Sequence, residues 1–227
     1  MPTVSVIIPC FNAGQFLLET VESVFRQTFR DFEVILVDDG STDNTRFLIE
    51  SLGSRVRAAF GPNGGVATAR DSGTQLSSGE FIQYLDADDL VTPDALSRRV
   101  EVLRQTNADV AYSDWQRLVR WKETFELGDV VARTIESVHQ DPQIALLTNF
   151  WCPPAAILYR RRIVNKIGRW NKTLPIIQDA RFLLDAALSG ARFAHVPGVT
   201  AFYRIHGTSL SRRSRRAFGR AGATARW

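Results

Sequence analysis

The chain has 227 residues, of which 44% are hydrophobic and 23% are charged. These proportions are typical of a folded globular protein and exclude disordered and fibrous proteins. No stretch approaches the roughly 18 consecutive apolar residues of a membrane-spanning helix, and the N-terminus lacks the basic and then apolar pattern of a secretory signal. We therefore expect a cytoplasmic protein. Its two cysteines, Cys10 and Cys152, are too few for a disulfide framework or a four-cysteine zinc site.

Positive charge is concentrated at the C-terminus. The formal net charge is +4, yet residues 186–227 contain eight arginines and no acidic residue. We interpret residues 212–227 as a flexible Arg-rich tail, because the end of the chain holds few apolar residues. Such a tail is either merely solvated or attracted to phosphates, an anionic membrane surface or nucleic acid. Nucleic acid is not expected as a partner, since the rest of the chain is acidic and carries no recognition motif.

Short β-rich runs alternate with helical patterns over the first half of the chain. Strands are predicted at residues 4–8, 32–37, 56–60, 81–85 and 109–113. Helices are predicted at residues 16–25, 42–52, 64–77 and 92–105, the second of them capped by Ser41 or Thr42. This alternation predicts a mostly parallel α/β sheet with right-handed crossovers, flanked by helices.

The alternation stops after Trp115. Residues 115–150 follow no clear period and are interpreted as irregular. A strand is predicted at 155–159, and helices at 161–167 and 179–188. Residues 193–196 and 199–204 resemble an antiparallel pair of strands around Pro197-Gly198. No internal repeat or linker divides the chain, so we predict one domain.

Polar and acidic side chains follow several of the predicted strands. They lie in the segments 9–12, 38–39 and 86–89 and at Asp114. In open α/β sheets the ligand crevice lies outside the carboxyl ends of the strands. Carboxylates gathered at one edge repel one another unless a cation or hydrogen-bond donors lie between them. The pattern therefore predicts a ligand site at this edge.

Asp86 and Asp88 form the most informative pair. Residues two apart on an extended strand can project to the same side, where their oxygens suit a divalent cation such as Mg²⁺ or Mn²⁺. A cation held there would bind a diphosphate. Asp89 lacks this spacing and is interpreted as a residue that simply precedes the next helix.

Six segments, taken together, resemble the family 2 inverting glycosyltransferases of the GT-A fold. They are VSVIIPCFNA (4–13), VDDGSTDNT (37–45), NGGVATARDSG (63–73), FIQYLDADD (81–89), Gln178-Asp179 and YRIHGTSLS (203–211). The resemblance implies a single Rossmann-like, mostly parallel sheet with a smaller acceptor-side region. The domain would cover residues 1–211, with a nucleotide-binding half at about 1–114, an acceptor half at about 115–211, and the tail at 212–227.

The resemblance also implies a nucleotide site and a metal site. The nucleotide-binding residues would be Pro9, Phe11, Asn12, Asp39, Arg70 and Asp86. Phe11 would stack on the base where the family often has Tyr, Asp39 would reach the base edge or ribose, and Arg70 would hold the base or diphosphate. The alternative for Arg70 is a surface pair with Asp71. Asp88 and His206 would hold Mn²⁺ or Mg²⁺, while His139 and His195 match nothing, and His195 is interpreted as a core or strand residue.

The catalytic base implied by the resemblance is Asp179. In this chain Gln178 stands where the family usually has an acid. The alternative for Asp179 is a first-turn acid that only complements a helix dipole. Asp114 is a candidate contact for the donor sugar. Trp170 is the preferred candidate for the acceptor among the tryptophans of the second half, although tryptophan is more often buried in a core.

The implied reaction is metal-dependent, inverting transfer of a sugar from a nucleoside diphosphate sugar, UDP-sugar by default. The acceptor would be a hydroxyl of a saccharide or lipid-linked molecule in cell-surface polysaccharide or glycolipid synthesis, with peripheral membrane contact through the tail. One alternative is a catalytically inactive nucleotide-sugar-binding domain. A nucleotide-sugar pyrophosphorylase is disfavoured because the early Gly-rich phosphate loop is missing, and an oxidoreductase because strand one lacks G-x-G-x-x-G.

Overall fold

The computed structural model describes residues 1–207. The predicted tail at 212–227 and the end of the predicted domain at 208–211 lie outside the described residues. The strands are β1 (Val4–Cys10), β2 (Phe32–Asp39), β3 (Arg57–Gly61), β4 (Phe81–Tyr84), β5 (Leu90–Val91), β6 (Val110–Trp121), β7 (Thr124–Val131), β8 (Ile157–Arg160) and β9 (Phe193–Ile205). The helices are α1 (Leu17–Phe25), α2 (Thr45–Ser51), α3 (Val66–Leu76), α4 (Ala95–Thr106), α5 (Ile135–Val138), α6 (Pro142–Thr148), α7 (Arg161–Ile167) and α8 (Gln178–Leu188).

Within residues 1–207 the strands form one mixed sheet. Its order is β3-β2-β1-β4-β8-β6-β9-β5, and β7 pairs with β6. β1 is parallel to β2 and β4, β2 is parallel to β3, and β6 is parallel to β9. β8 is antiparallel to both β4 and β6, so β6 runs in the same direction as β4. The prediction of a mostly parallel α/β sheet flanked by helices is confirmed.

The first half is built around β1 and β2. Every residue of β1 is buried, as expected for a parallel strand covered on both faces. Helix α3 lies very close to this strand, because a Cβ added at Gly73 would come within 2.3 Å of Ile7 Cγ2. Glu33 is an exception to the apolar pattern of β2, and its carboxylate accepts hydrogen bonds from Ser5 and Ser78. These contacts join the amino-terminal ends of β1 and β2, and the parallel register places their carboxyl ends side by side at the opposite edge.

The segment before α2 differs from its prediction. The helix begins at Thr45, and Asp43 Oδ1 accepts a hydrogen bond from the Thr45 backbone N–H at 2.9 Å. Ser41 and Thr42, predicted as caps, instead contact Asn12 at the end of β1. The prediction was wrong because the loop between β2 and α2 pairs with the neighbouring strand end.

Residues 115–150 are not irregular. β6 continues to Trp121 and forms an antiparallel hairpin with β7, after which α5 and α6 follow. The pairing of the two strands shifts between Gln116 and Leu118. Because this irregularity interrupts the two-residue alternation of a strand, Trp115 and Leu118 are both buried although they lie three apart.

Residues 193–204 also differ from the prediction, because they belong to a single strand. β9 lies parallel to β6, and Pro197-Gly198 forms a bulge in it: Ser113 lies opposite Val196, whereas Asp114 lies opposite Val199. Gly198 has φ +87°, a conformation that strongly favours glycine. The dipeptide that resembled a hairpin turn is therefore an insertion within one strand.

No helix within residues 1–207 is long and apolar enough to cross a membrane.

Candidate active site

Asp88 and His206 meet at the carboxyl edge of the sheet. Asp88 lies in the segment after β4, and His206 directly follows β9. Their Oδ2 and Nε2 atoms are 2.7 Å apart, and the His206 ring packs against Phe16 at a centroid distance of 4.7 Å. The two residues that the resemblance assigned to the metal are thus neighbours, although 118 positions separate them in the sequence.

This pair fits a divalent cation that is also bound by its substrate. A carboxylate oxygen and an imidazole nitrogen are ligands that Mn²⁺ accepts, and Mg²⁺ prefers oxygen. Within the described part of the chain, no group of three or more His, Cys, Asp or Glu side chains is arranged to hold a metal. A cation bound to Asp88 and His206 would therefore take its other ligands from water and from phosphate oxygens.

Arg70 is directed towards the acidic segment. Its guanidinium is buried, lies 2.6 Å from Asp86 Oδ1 and covers the ring of Trp170 at 4.4 Å. The alternative surface pair with Asp71 is wrong, because Asp71 instead accepts the backbone N–H of Trp170 at 3.0 Å. Arg70 thus supplies a fixed positive charge beside the predicted diphosphate position.

Negative charge accumulates around Asp86 and Asp89. Desolvation, together with the neighbouring carboxylates of Asp88 and Asp179, raises the pKa of Asp86, although Arg70 opposes this effect. Burial and the neighbouring carboxylates of Asp88 and Asp86 raise the pKa of Asp89 well above its ordinary value. Asp89 accepts the backbone N–H of Arg204 at 2.9 Å, so it holds β9 and does more than precede a helix. A bound cation would relieve the repulsion among these acids.

Arg204 is a residue whose role the sequence analysis missed. Its buried guanidinium donates to the backbone carbonyl of Asp88 and to Glu19 Oε2, each at 2.7 Å. It lies over the rings of Phe16 and Phe125 at 4.7 and 4.6 Å. The signal was present in the segment YRIHGTSLS, where Arg204 lies two residues before His206. This arginine fixes the loop that carries Asp88 against β9.

Among the candidate nucleotide-binding residues at the end of β1, Phe11 is exposed, whereas Pro9 and Asn12 serve the fold. Phe11 is 49% exposed, so its ring is accessible to a base. Pro9 is buried within β1. Asn12 has φ 50°, and its Oδ1 accepts the backbone N–H of Thr42 at 2.8 Å. Asn12 therefore holds the loop after β2 and, through it, the shape of the rim around Phe11.

Asp39 and Asp114 both use their carboxylates within the fold. The two oxygens of Asp39 accept the backbone N–H groups of Gly64 and Gly65, each at 2.8 Å, at the start of α3. Asp114 Oδ2 accepts the Gly198 N–H at 2.6 Å, and Oδ1 lies 2.7 Å from His195 Nε2. His195 is a strand residue, as predicted. Asp114, expected at the donor sugar, instead holds the bulge of β9.

Trp170 is not placed to contact an acceptor. Its side chain is only 3% exposed and stacks on Phe182 at 4.0 Å with nearly parallel rings. It also contacts Tyr84 edge to face at 4.9 Å. The expectation that Trp170 contacts the acceptor is wrong, because this side chain is packed in the core beneath Arg70.

Asp179 lies in the first turn of α8, preceded by Ile177 in a left-handed conformation with φ 58°. Such a conformation is strained for a β-branched residue, and strain of this kind clusters at functional sites. Asp179 Oδ2 accepts a hydrogen bond from Trp151 Nε1 at 2.9 Å. The charge of Asp179 contributes to the raised pKa of Asp86, and Asp179 is linked to β9 through Trp151, whose ring contacts Tyr203. Gln178 is turned away and donates to the Leu174 carbonyl.

Comparison with known proteins agrees with this arrangement. The model of the family described as "Glycosyl transferase family 2" matches residues 5–168. The chain belongs to this family. An uncharacterized glycosyltransferase of Nostoc sp. is 30% identical over 226 residues, which cover 91% of this chain and 66% of the relative. The family assignment disfavours the pyrophosphorylase alternative.

Solved structures of other glycosyltransferases share the fold of this family 2 chain. Staphylococcus aureus TarS in complex with UDP-GlcNAc superimposes with a TM-score of 0.72 at 23% identity, over 91% of this chain and 60% of that one. The mannosyltransferase PcManGT from Pyrobaculum calidifontis, in complex with GDP-Man and Mn²⁺, gives 0.70 at 18% identity, over 95% and 61%. They establish the GT-A fold. The chain thus spans about three fifths of these structures and about two thirds of the Nostoc relative.

Proposed function

We propose that this chain transfers a sugar from a nucleoside diphosphate sugar to an acceptor hydroxyl, with inversion at the anomeric carbon. The observation that carries the proposal is the contact of Asp88 with His206 at the carboxyl edge of a GT-A sheet, with Asp179 linked to the same strand β9 through Trp151 and Tyr203. The pair of Asp88 and His206 suits a diphosphate and its cation. Asp179 presents a carboxylate to an incoming hydroxyl.

On the donor side, Phe11 stacks on the base, and Arg70 and Asp86 lie beside the diphosphate and ribose. Asp88 and His206 hold Mn²⁺ or Mg²⁺, which when bound stabilises the charge of the departing nucleoside diphosphate. The complex of TarS with UDP-GlcNAc supports uridine as the nucleoside of the donor, whereas the complex of PcManGT with GDP-Man supports guanosine. We retain a UDP-sugar as the default donor.

On the acceptor side, Asp179 accepts the proton of the attacking hydroxyl. The acceptor oxygen forms a bond to the anomeric carbon while the bond from that carbon to the diphosphate oxygen breaks, and the electron pair leaves with the diphosphate. One carboxylate suffices for such a single displacement. The neutral Gln178 in place of a second acid is compatible with this role. The acceptor is a saccharide or a lipid-linked molecule, as in cell-surface polysaccharide or glycolipid synthesis.

The direct test combines binding and transfer. The chain is mixed with UDP, GDP or dTDP, with and without Mn²⁺, and its melting temperature is measured, because a ligand that binds only the folded state raises stability. The matching sugar nucleotides are then incubated with p-nitrophenyl glycosides as acceptors. We expect metal-dependent stabilisation by one nucleotide and formation of a disaccharide product. Metal-dependent binding without transfer to any acceptor would favour the inactive sugar-nucleotide-binding alternative.

We also propose that the Arg-rich segment 212–227 holds the enzyme at an anionic membrane, on its cytoplasmic side. Each basic residue near such a surface contributes about 1 kcal/mol. Truncation after Ser211 should abolish sedimentation with phosphatidylglycerol vesicles at low salt and leave transfer to a soluble acceptor unchanged. Unaltered vesicle binding by the truncated chain contradicts this role.

A further inference from the structure

Trp151 makes a contact that the sequence analysis did not assign. It lies in the segment between α6 and β8, and its indole N–H donates to Asp179 Oδ2 at 2.9 Å. The residue is 36% exposed. Water could therefore satisfy its indole N–H, so burial does not force the bond to Asp179. The contact orients a carboxylate that the proposed reaction uses.

The Trp151 ring is itself held by two other aromatic rings. Trp115 from β6 lies 5.3 Å away at 90°, and Tyr203 from β9 lies 5.4 Å away at 79°. Trp115 and Tyr203 also contact each other edge to face at 5.8 Å. These are favoured geometries for aromatic pairs. Contacts from three separate segments thus fix the direction of the Trp151 N–H group. We call Trp115, Trp151 and Tyr203 the aromatic cluster.

The aromatic cluster also connects the two parts of the proposed reaction. Tyr203 precedes Arg204, whose guanidinium donates to the backbone carbonyl of Asp88. His206, three residues after Tyr203, contacts the Asp88 side chain. The same strand therefore locates Asp88 and, through Tyr203 and Trp151, Asp179. A displacement of Trp151 would change the position of the base relative to the donor.

We propose that Trp151 is a positioning residue for the transfer, an inference that rests on the proposed function. Its indole N–H holds Oδ2 of Asp179, so that Oδ1 faces the acceptor hydroxyl and takes its proton. Small errors in the placement of a base lower the rate of the chemical step without an equal change in substrate binding. The expected signature is a loss of kcat with little change in KM.

The kinetic test is Trp151→Phe, which keeps an aromatic ring and removes the N–H. Loss of a hydrogen bond to a charged group corresponds to a roughly 10- to 100-fold fall in kcat. The KM values for the UDP-sugar and the p-nitrophenyl glycoside should stay within about threefold. Tyr112→Phe is the matched control: it likewise keeps an aromatic ring and removes a polar group, but its hydroxyl contacts the Ile135 backbone N–H at 2.9 Å and lies outside the aromatic cluster. It should lower the melting temperature and leave kcat within about threefold.

A second measurement does not depend on turnover. In the chain labelled with ¹⁵N-tryptophan, the indole N–H signal missing from Trp151→Phe is that of Trp151. We expect this signal to move in Asp179→Asn and to stay in place in Asp185→Asn, which changes an acid of α8 that pairs with Arg181.

Wild-type kcat in Trp151→Phe, equal losses of kcat in Trp151→Phe and Tyr112→Phe, or an unmoved indole signal in Asp179→Asn would each overturn the positioning role. If Asp179→Asn loses transfer while Trp151→Phe does not, the proposed function stands and this inference fails. Absence of transfer by the wild-type chain contradicts the proposed function itself and is detected before any variant is made.

Discussion

The two halves of the chain build their parts of the site in different ways. In residues 1–114, side chains reach one edge because the sheet aligns the carboxyl ends of neighbouring parallel strands, as with Phe11 after β1 and Asp86 after β4. In residues 115–207, the important contacts join segments far apart in sequence, such as Trp151 with Asp179 and Trp115 with Tyr203. The part of the site proposed to bind the donor is therefore built mainly from strand ends, with His206 of the second half added to Asp88, and the part proposed to bind the acceptor is built by long-range packing.

The largest effect on the donor half is expected from Asp88→Ala. This variant removes the carboxylate next to His206 while β4 stays paired, so UDP binding in Mn²⁺ should weaken by about 100-fold or more. Isothermal titration with UDP, with and without Mn²⁺, measures the change. Asp129→Ala, which removes an exposed acid of the β6–β7 hairpin, is the control and should bind normally. Retained Mn²⁺ dependence in Asp88→Ala would remove Asp88 from the metal site.

A smaller effect on the same half is expected from Phe11→Ala. Loss of stacking on a base costs about 1–3 kcal/mol, which is roughly a 5- to 150-fold weaker UDP affinity. The KM for the acceptor should not change, because the ring is proposed to contact only the base of the donor. Phe47→Ala, which removes a ring of α2 that is 69% exposed, is the matched control. Equal UDP affinity in the two variants would show that Phe11 does not contact the base.

The smallest effect on the reaction is expected from Asp114→Asn, which tests the boundary between the halves. The substitution weakens the bonds to Gly198 and His195, so the free energy of unfolding should fall by about 1–3 kcal/mol. The KM for the donor should stay within about twofold, because both oxygens of Asp114 serve the fold. Urea unfolding and donor kinetics measure the two quantities. A donor KM raised about tenfold at unchanged stability would restore the predicted sugar contact.

Sequence patterns predicted the first half well because β1, β2 and β4 are almost wholly buried and β2 and β4 lead into acids. The pairing of Asp88 with His206 came from the family resemblance and not from periodicity, since no local pattern joins positions 118 apart. The hairpin after Trp115 and the single strand β9 were missed because bulges at Gln116 and Gly198 interrupt their patterns.

The position of an acid at a strand end did not show whether its carboxylate is used within the fold or is available to a ligand. Asp39 ends β2 and Asp88 follows β4, yet backbone amides take both oxygens of Asp39, whereas the side-chain contact of Asp88 is a histidine. The difference depends on where the loop after β3 and the end of β9 fold back, which is tertiary information. Trp170 and Trp151 show the same limit: packing buries the first and directs the second at Asp179.

The most direct test of the central claim is product formation by Asp179→Asn, measured together with the anomeric configuration made by the wild-type chain. We predict that turnover falls by about 10²–10⁴-fold while donor affinity is unchanged, because Asn keeps the size of the side chain and cannot take the proton. The control Asp185→Asn should transfer normally. NMR of the wild-type product should show a configuration opposite to that of the donor. Near-normal turnover in folded Asp179→Asn, or a retained configuration, would contradict the proposed mechanism.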